Sequence, residues 1–217
     1  INSILNQTFN NFEYIIINDG STDDSREVID QYSDKAIVIY QENLGLTKSI
    51  QKAFSMATGE YVVRLDADDW MDTRCIEELV KTIESSTDIA LVFPDYYEVD
   101  KEGNITNIFR RHDFKDVNLH DQSAHGACTM FKTRTLIESG GYDEYFSCQD
   151  GVDVWLRYVK KYKVKNINTP LFYYRMHENN LTKKEGAIID NRHKILKKNN
   201  NERDIHCIAV IPVRGKE

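Results

Sequence analysis

No apolar run in this 217-residue sequence exceeds five residues, far short of the roughly 20 that a helix needs to cross a bilayer. Positive charge is the scarcer sign, with 28 Lys and Arg against 35 Asp and Glu and a formal net charge of −7. That balance argues against nucleic acid as the main partner, because phosphate backbones are bound by surplus cations. Only Lys183 to Lys198 concentrates basic residues, too locally to reverse it. The four cysteines, Cys75, Cys128, Cys148 and Cys207, lie 53, 20 and 59 residues apart. No pair has the spacing of a zinc knuckle or a redox motif, and the count is low for a disulfide scaffold. Reduced thiols in a cytoplasmic setting are therefore expected. Internal repeats are absent, and low complexity is confined to a connector-like patch, Lys197–Asn201. The remaining composition, 41% hydrophobic and 29% charged, suits a folded globular chain.

The pattern along the chain alternates. Ile1, Ile4 and Leu5 have helical spacing, with no cap, no Met and no strand before them. Tyr14–Ile17, Ile37–Tyr40, Tyr61–Leu65 and Ile89–Phe93 read as short strands buried on both faces. Helices are expected between them, around Ser25 to Tyr32, across Leu46 to Ala57, and across Ile76 to Ile83. Strands and helices in this order predict an α/β fold with a mostly parallel central sheet and helices on both faces. Ligands in such sheets sit beyond the carboxyl ends of the strands. The turns Asn18–Asp24 and Asp66–Asp69 both fall there. After Pro94 the pattern becomes mixed. A hairpin spans Tyr96 to Phe109, strands follow at His125–Phe131 and Leu171–Met176, and helices at Val152–Val159 and Ile188–Leu196.

The residues that could do chemistry cluster at strand ends. Asp66-Ala67-Asp68-Asp69 packs three carboxylates into four residues. Their repulsion is relieved by a hard divalent cation such as Mg²⁺ or Mn²⁺, completed by phosphate oxygens. A solvated acidic turn that caps the next helix through Asp72 explains the segment equally well at this stage. An EF-hand does not, since Met71 stands where its turn glycine is required. Asp19 could accept a hydrogen bond from a base or ribose, and Gly45 permits close backbone approach by a ligand, although turn chemistry explains Asp19 better in isolation and Gly45 equally well. Asp150 lies at a helix start, as a cap or as a general base. Lys48 and Arg175 are candidates for phosphate oxygens, and His177 for a third metal ligand.

Together these segments resemble family 2 glycosyltransferases. The resemblance rests on Ser3-Ile-Leu-Asn-Gln-Thr8, Asn18-Asp-Gly-Ser-Thr-Asp23, Asn43-Leu-Gly45, Thr58-Gly-Glu-Tyr61 and Asp66-Ala-Asp-Asp69, followed by Gly140-Gly-Tyr-Asp-Glu144, Gln149 to Arg157, and Tyr173-Tyr-Arg-Met-His177. It covers about residues 1–198, with a nucleotide-sugar half at 1–94 and an acceptor half at 95–198. It implies a GT-A fold and an inverting transfer from a nucleotide-diphosphate sugar to a saccharide or lipid-linked acceptor, in surface polysaccharide or glycolipid synthesis. By the same resemblance Asp19 contacts the base and Asp66 the ribose side. Gly45, Lys48 and Arg175 complete the donor site, and Asp68 with His177 holds Mn²⁺ or Mg²⁺. Asp150 is then the catalytic base, with Asp153 as the fallback. The setting implied is cytoplasmic, with peripheral contact at the inner membrane face compatible with the basic segment.

The sequence departs from the family in places. Asn18 stands where an acidic residue is usual, Gln149 replaces a common Glu, and the family's first strand is missing. Residues 199–217 read as a connector and an isolated strand. Ile205 to Glu217 resembles the opening of a sugar-nucleotide cytidylyltransferase and, less well, the missing strand in permuted position. A nucleotidyltransferase and a non-catalytic sugar-binding module are the competing functions.

Overall fold

The structure, a computed structural model, describes residues 1–111, 126–146, 150–178, 180 and 185–199. The Ile205–Glu217 segment, most of the loop from Arg110 to Ser123, Cys148, Gln149 and Cys207 lie outside the described residues.

A short helix α1 (Asn2–Leu5) opens the chain and is followed by strand β1 (Ile15–Asp19), helix α2 (Ser25–Asp30) and strand β2 (Ile37–Gln41). The two strands pair in parallel, Ile15 opposite Ile37 and Asp19 opposite Gln41, and form a sheet of their own. Helix α3 (Leu46–Met56), strand β3 (Tyr61–Val63) and the two-residue strand β4 (Trp70–Met71) come next. Then follow α4 (Cys75–Glu84), β5 (Ile89–Val99), β6 (Ile105–Phe109), β7 (Met130–Lys132) and α5 (Thr133–Glu138). The described part ends with α6 (Asp150–Tyr158), β8 (Lys163–Arg175) and α7 (Glu185–Asn199).

The second sheet has six strands in the order β3-β7-β5-β8-β4, with β6 on the far part of β5. It is a mixed sheet. β5 and β8 run parallel, whereas β3–β7, β5–β7, β5–β6 and β4–β8 are antiparallel. The alternating pattern correctly implies an α/β fold. The expected mostly parallel order is interrupted because β7, from the later half of the chain, inserts between β3 and β5. β5 also runs straight through Pro94, where the sequence pattern places its end. Proline cannot donate to a ladder, and the pairing with β8 shifts register there, between Phe93 and Asp95.

β5 packs against two apolar clusters, and register irregularities at Ile89–Leu91 and Phe93–Asp95 break a strict two-residue alternation between them. Ile89 and Val92 join one apolar cluster with Leu79, Ile83 and Cys75 of α4. Ala90, Leu91 and Phe93 join another with Trp155 and Tyr158 of α6, Ile50 of α3 and Leu136 of α5. The central strand is thus buried on both faces, and each fully buried side chain of this size contributes about 1.5–3 kcal/mol. By contrast, the isoleucines of β1 are only half-buried. Among the described residues, β1 and β3 are each paired along one edge alone. Glu13, just before β1, joins the two sheets: its Oε1 accepts the N–H groups of Thr58 and Gly59 at 2.6 and 2.9 Å, just before β3.

Candidate functional site

The sequence-predicted residues fall into three groups. The first is the pair of turns at the ends of β1 and β2. Asn18, buried, accepts the Ser21 N–H at 2.8 Å through its side-chain oxygen, so the amide closes the turn without an acidic group. Gly20 has φ +74°, and a Cβ there would lie 2.7 Å from the Asn43 nitrogen, so this turn presses directly against the next one. Asp19 accepts the N–H groups of Leu44 (2.9 Å) and Gly45 (2.8 Å) and the Gln41 amide at 2.7 Å. Partial burial raises its pKa, but these hydrogen bonds outweigh it and hold the carboxyl below its ordinary value. Gly45 adopts φ +88° at the start of α3, and a Cβ placed there would meet nothing within 4 Å. Lys48 is exposed on the first turn of α3.

The second group surrounds the acidic loop. Arg64 grips Asp66 with two contacts, Nε to Oδ1 at 2.8 Å and Nη2 to Oδ2 at 3.2 Å. Asp68 Oδ2 and His177 Nε2 lie 2.8 Å apart although 109 residues separate them in the chain. Asp69 is buried, and its Oδ1 accepts the Arg175 N–H at 2.9 Å. Its Oδ2 has no hydrogen-bond partner among the described residues. Burial pushes the Asp69 carboxyl up to about 8; the Arg175 N–H opposes that rise, and the charges of Asp68 and Asp66 add to it. Arg175 itself is committed to the scaffold. Its Nε donates to the Asp68 carbonyl at 3.0 Å, its Nη1 donates to the Lys101 carbonyl, and its guanidinium packs on Trp70. Asn180 closes the turn behind His177, accepting the His177 N–H and donating to the Arg175 carbonyl at 2.9 Å. The alternative of a solvated turn that caps α4 through Asp72 finds less support: Asp69 is buried, and among the described residues the Asp72 carboxylate accepts only the Arg74 N–H, with no side-chain cap on the helix.

The third group lies on α6. Asp150 is the first residue of the helix, and its side chain lies outside the described residues. Asp153, the fallback base, is only 1% exposed. Its carboxylate is held by Arg157 at 2.9 Å, Lys198 at 3.2 Å and the Asn199 amide at 3.1 Å. The carboxylate is thus committed to partners within the scaffold. Two contacts tie α3 to the segment that leads into α6. Thr47 Oγ1 donates to the Phe146 carbonyl at 2.6 Å, and Gln51 Oε1 accepts the Tyr142 N–H at 3.1 Å. The helix after Gly45 is therefore fastened to the chain four residues before Asp150.

Sequence reasoning passed over Gln7, Glu13, Thr47 and Asn180. All four bond to backbone groups, three of them in distant segments, and single-chain patterns carry no signal for such partners.

The donor chemistry around Asp68 suits a hard divalent cation. A carboxylate and an imidazole already converge, a further carboxyl oxygen in the loop is buried without a partner, and three acidic side chains are confined to one loop. Among the described residues no three such side chains meet at one point. Two protein ligands leave coordination positions for water or diphosphate oxygens, as Mg²⁺ and Mn²⁺ accept.

Comparison with known proteins bears on this arrangement. Residues 1–139 match the family model described as glycosyl transferase family 2. An uncharacterised glycosyltransferase of Methanocaldococcus jannaschii is 32% identical over 186 residues, 81% of this chain and 64% of that protein. The chain thus spans less than two thirds of that relative. The Escherichia coli UDP-Glc:alpha-D-GlcNAc-diphosphoundecaprenol beta-1,3-glucosyltransferase WfaP is 29% identical, with 82% of this chain and 70% of the relative covered. Among solved structures, S. aureus TarS 1–349 in complex with UDP superposes with a TM-score of 0.70 at 16% identity, covering 94% of this chain and 61% of that one. The mannosyltransferase PcManGT of Pyrobaculum calidifontis, solved with GDP-Man and Mn²⁺, gives 0.67 at 15%, covering 94% and 59%. At such identities the structural likeness speaks for a shared fold, that of the GT-A glycosyltransferases.

Proposed function

This chain belongs to glycosyl transferase family 2, and on that premise we propose that it moves a sugar from a nucleotide-diphosphate sugar to an acceptor hydroxyl with inversion. The observation that carries the reading is the meeting of Asp68 and His177 at 2.8 Å across 109 residues. Bringing a carboxylate and an imidazole together from opposite halves of the chain has a clear purpose in a metal-assisted site. A divalent cation held there, Mn²⁺ or Mg²⁺, would neutralise charge developing on the leaving diphosphate.

The other roles follow from placement. Residues 1–94 hold the donor. Asp19 keeps its negative charge and offers acceptors to the base, and Asp66, oriented by Arg64, serves the ribose side. Gly45 and Lys48 occupy the turn next to Asp19, where open space above Gly45 admits a ligand. Residues 95–198 serve the acceptor. Asp150 takes the proton from the acceptor hydroxyl as its oxygen attacks the anomeric carbon and the bond to the diphosphate breaks. The Thr47–Phe146 bond supports this assignment, because it keeps the start of α6 close to the donor turn. Asp153 is a structural anchor in this reading. The names of TarS and PcManGT structures, with UDP and GDP-Man, support a nucleotide-sugar donor. The name of WfaP supports a lipid-linked saccharide as acceptor, and we place the reaction in surface polysaccharide synthesis at the cytoplasmic face of a membrane. Among the described residues no helix is long and apolar enough to cross that membrane.

The experiment is a calorimetric titration with UDP-, GDP- and CDP-sugars, with and without Mn²⁺, followed by transfer assays on diphospholipid-linked acceptors. Binding of one sugar nucleotide that strengthens with Mn²⁺ is expected; no binding under any metal overturns the proposal. In the transfer assay Asp150→Asn should lower kcat by about 10²–10⁴ with donor binding retained. Asp153→Asn should instead lower stability by about 2 kcal/mol in urea unfolding, since it removes the buried carboxylate that Arg157, Lys198 and Asn199 bond. A catalytic loss for Asp153→Asn at unchanged stability would reverse the two roles.

A further inference from the structure

Asp68 and His177 meet although no strand pairing joins their own residues, so something else must hold the two loops in register. β4 and β8 pair only through Trp70–Tyr173 and Met71–Phe172, which leaves both the acidic loop and the His177 turn beyond the ladder. Arg175 spans that gap. Its main-chain N–H reaches Asp69 Oδ1 at 2.9 Å, and its Nε reaches the Asp68 carbonyl at 3.0 Å. Its Nη1 reaches the Lys101 carbonyl at the tip of the β5–β6 hairpin, and its guanidinium lies 4.9 Å from the centre of the Trp70 ring. One side chain thus ties the acidic loop, the hairpin tip and the strand that leads into His177.

We propose that Arg175 is a positioning residue that sets the separation of Asp68 and His177 for cation binding. The inference rests on the reading that those two side chains hold a divalent cation. The chemistry calls for arginine. A planar guanidinium directs its N–H groups along fixed lines to two carbonyls while its face packs on an indole. A lysine ammonium supplies charge without that fork. The far side of the His177 turn is fixed independently by Asn180, which bonds to both the His177 N–H and the Arg175 carbonyl. Loss of the guanidinium therefore frees the Asp68 carbonyl side while His177 stays in its turn. The predicted defect is a displaced ligand pair in an otherwise intact fold.

Outer partners that orient metal ligands are typically worth about 10–100-fold in metal affinity. The probe is Mn²⁺ alone, titrated without nucleotide and read by the electron paramagnetic resonance signal of free Mn²⁺. Wild type, Arg175→Ala, Arg175→Lys, Asp68→Asn and His177→Ala are compared, with thermal unfolding of each metal-free protein alongside. Arg175→Ala should weaken Mn²⁺ binding about tenfold, with the metal-free unfolding midpoint close to wild type and Arg175→Lys recovering only part of the affinity. Wild-type affinity in both Arg175 variants would overturn the proposal. If Arg175→Ala does not fold, Arg175→Lys decides by the same reading. Wild-type affinity in Asp68→Asn and His177→Ala would instead remove the metal assignment itself, so the two failures are told apart.

Discussion

Asp19 accepts two backbone N–H groups and the Gln41 amide, so its carboxylate braces the β2–α3 turn whatever else it binds. Its pKa in the folded chain lies below the ordinary value because those hydrogen bonds outweigh burial. The sign of the linkage follows. Stabilisation from Asp19 is complete above the unfolded-state value of about 3.9 and disappears as pH falls through the lower folded-state value. Urea unfolding of wild type and Asp19→Asn should therefore show a gap at neutral pH that narrows below about pH 4. A gap independent of pH would mean that Asp19 does not act as a carboxylate in the turn. At this scale residue type marked Asp19, Asp68 and His177 only as candidates, and the family resemblance supplied their expected roles. Neither revealed their partners. Arg175 was legible as a cation for phosphate, but two of its guanidinium nitrogens bond backbone carbonyls at Asp68 and Lys101, and no local pattern encodes a bond to a distant carbonyl.

Helices α2, α3, α4, α6 and α7 and the β5–β6 hairpin lie where hydrophobic spacing and turn residues place them. Helix α5 and the first half of β8, from Lys163, lie where the sequence pattern places no element, and two more departures have local reasons. β4 is two residues long, too short to display a period, and β5 continues through Pro94 because β8 supports it on one side. The turns between elements discriminate more sharply. Gly20 and Gly45 both have positive φ, but only at Gly20 would a side chain collide with backbone, at the Asn43 nitrogen. Gly45, with φ +88° and ψ 163°, sits in a region essentially reserved for glycine, where an L-residue costs about 1–3 kcal/mol. Gly45→Ala should lose that amount in urea unfolding, and Gly20→Ala should lose more, since the two turns must also separate. Equal losses would show that the Gly20–Asn43 approach is not constrained. The same separation should loosen the Asp19 hydrogen bonds, which ties turn geometry to the proposed donor site.

At the scale of the molecule, the described residues form two sheets, and each has a strand with a single paired edge, β1 in one and β3 in the other. β5, in contrast, is paired on both sides and buried on both faces. Hydrogen exchange should rank accordingly. β1 amides that do not face β2 should exchange at least about tenfold faster than those of Leu91 to Phe93, because exposed edges open locally while the central strand opens only with the whole fold. Equal protection would mean that the β1 edge is covered. The sequence by itself determined most of the element order, the α/β class, the acidic loop at a strand end and the family resemblance, because periodicity, turn chemistry and residue type are local properties. Only the tertiary structure decided that β7 inserts between β3 and β5, that Asp153 is enclosed by Arg157 and Lys198, and that Arg175 links the loops of Asp68 and His177. Those outcomes depend on which distant segments pack together, and packing is settled by the whole chain at once.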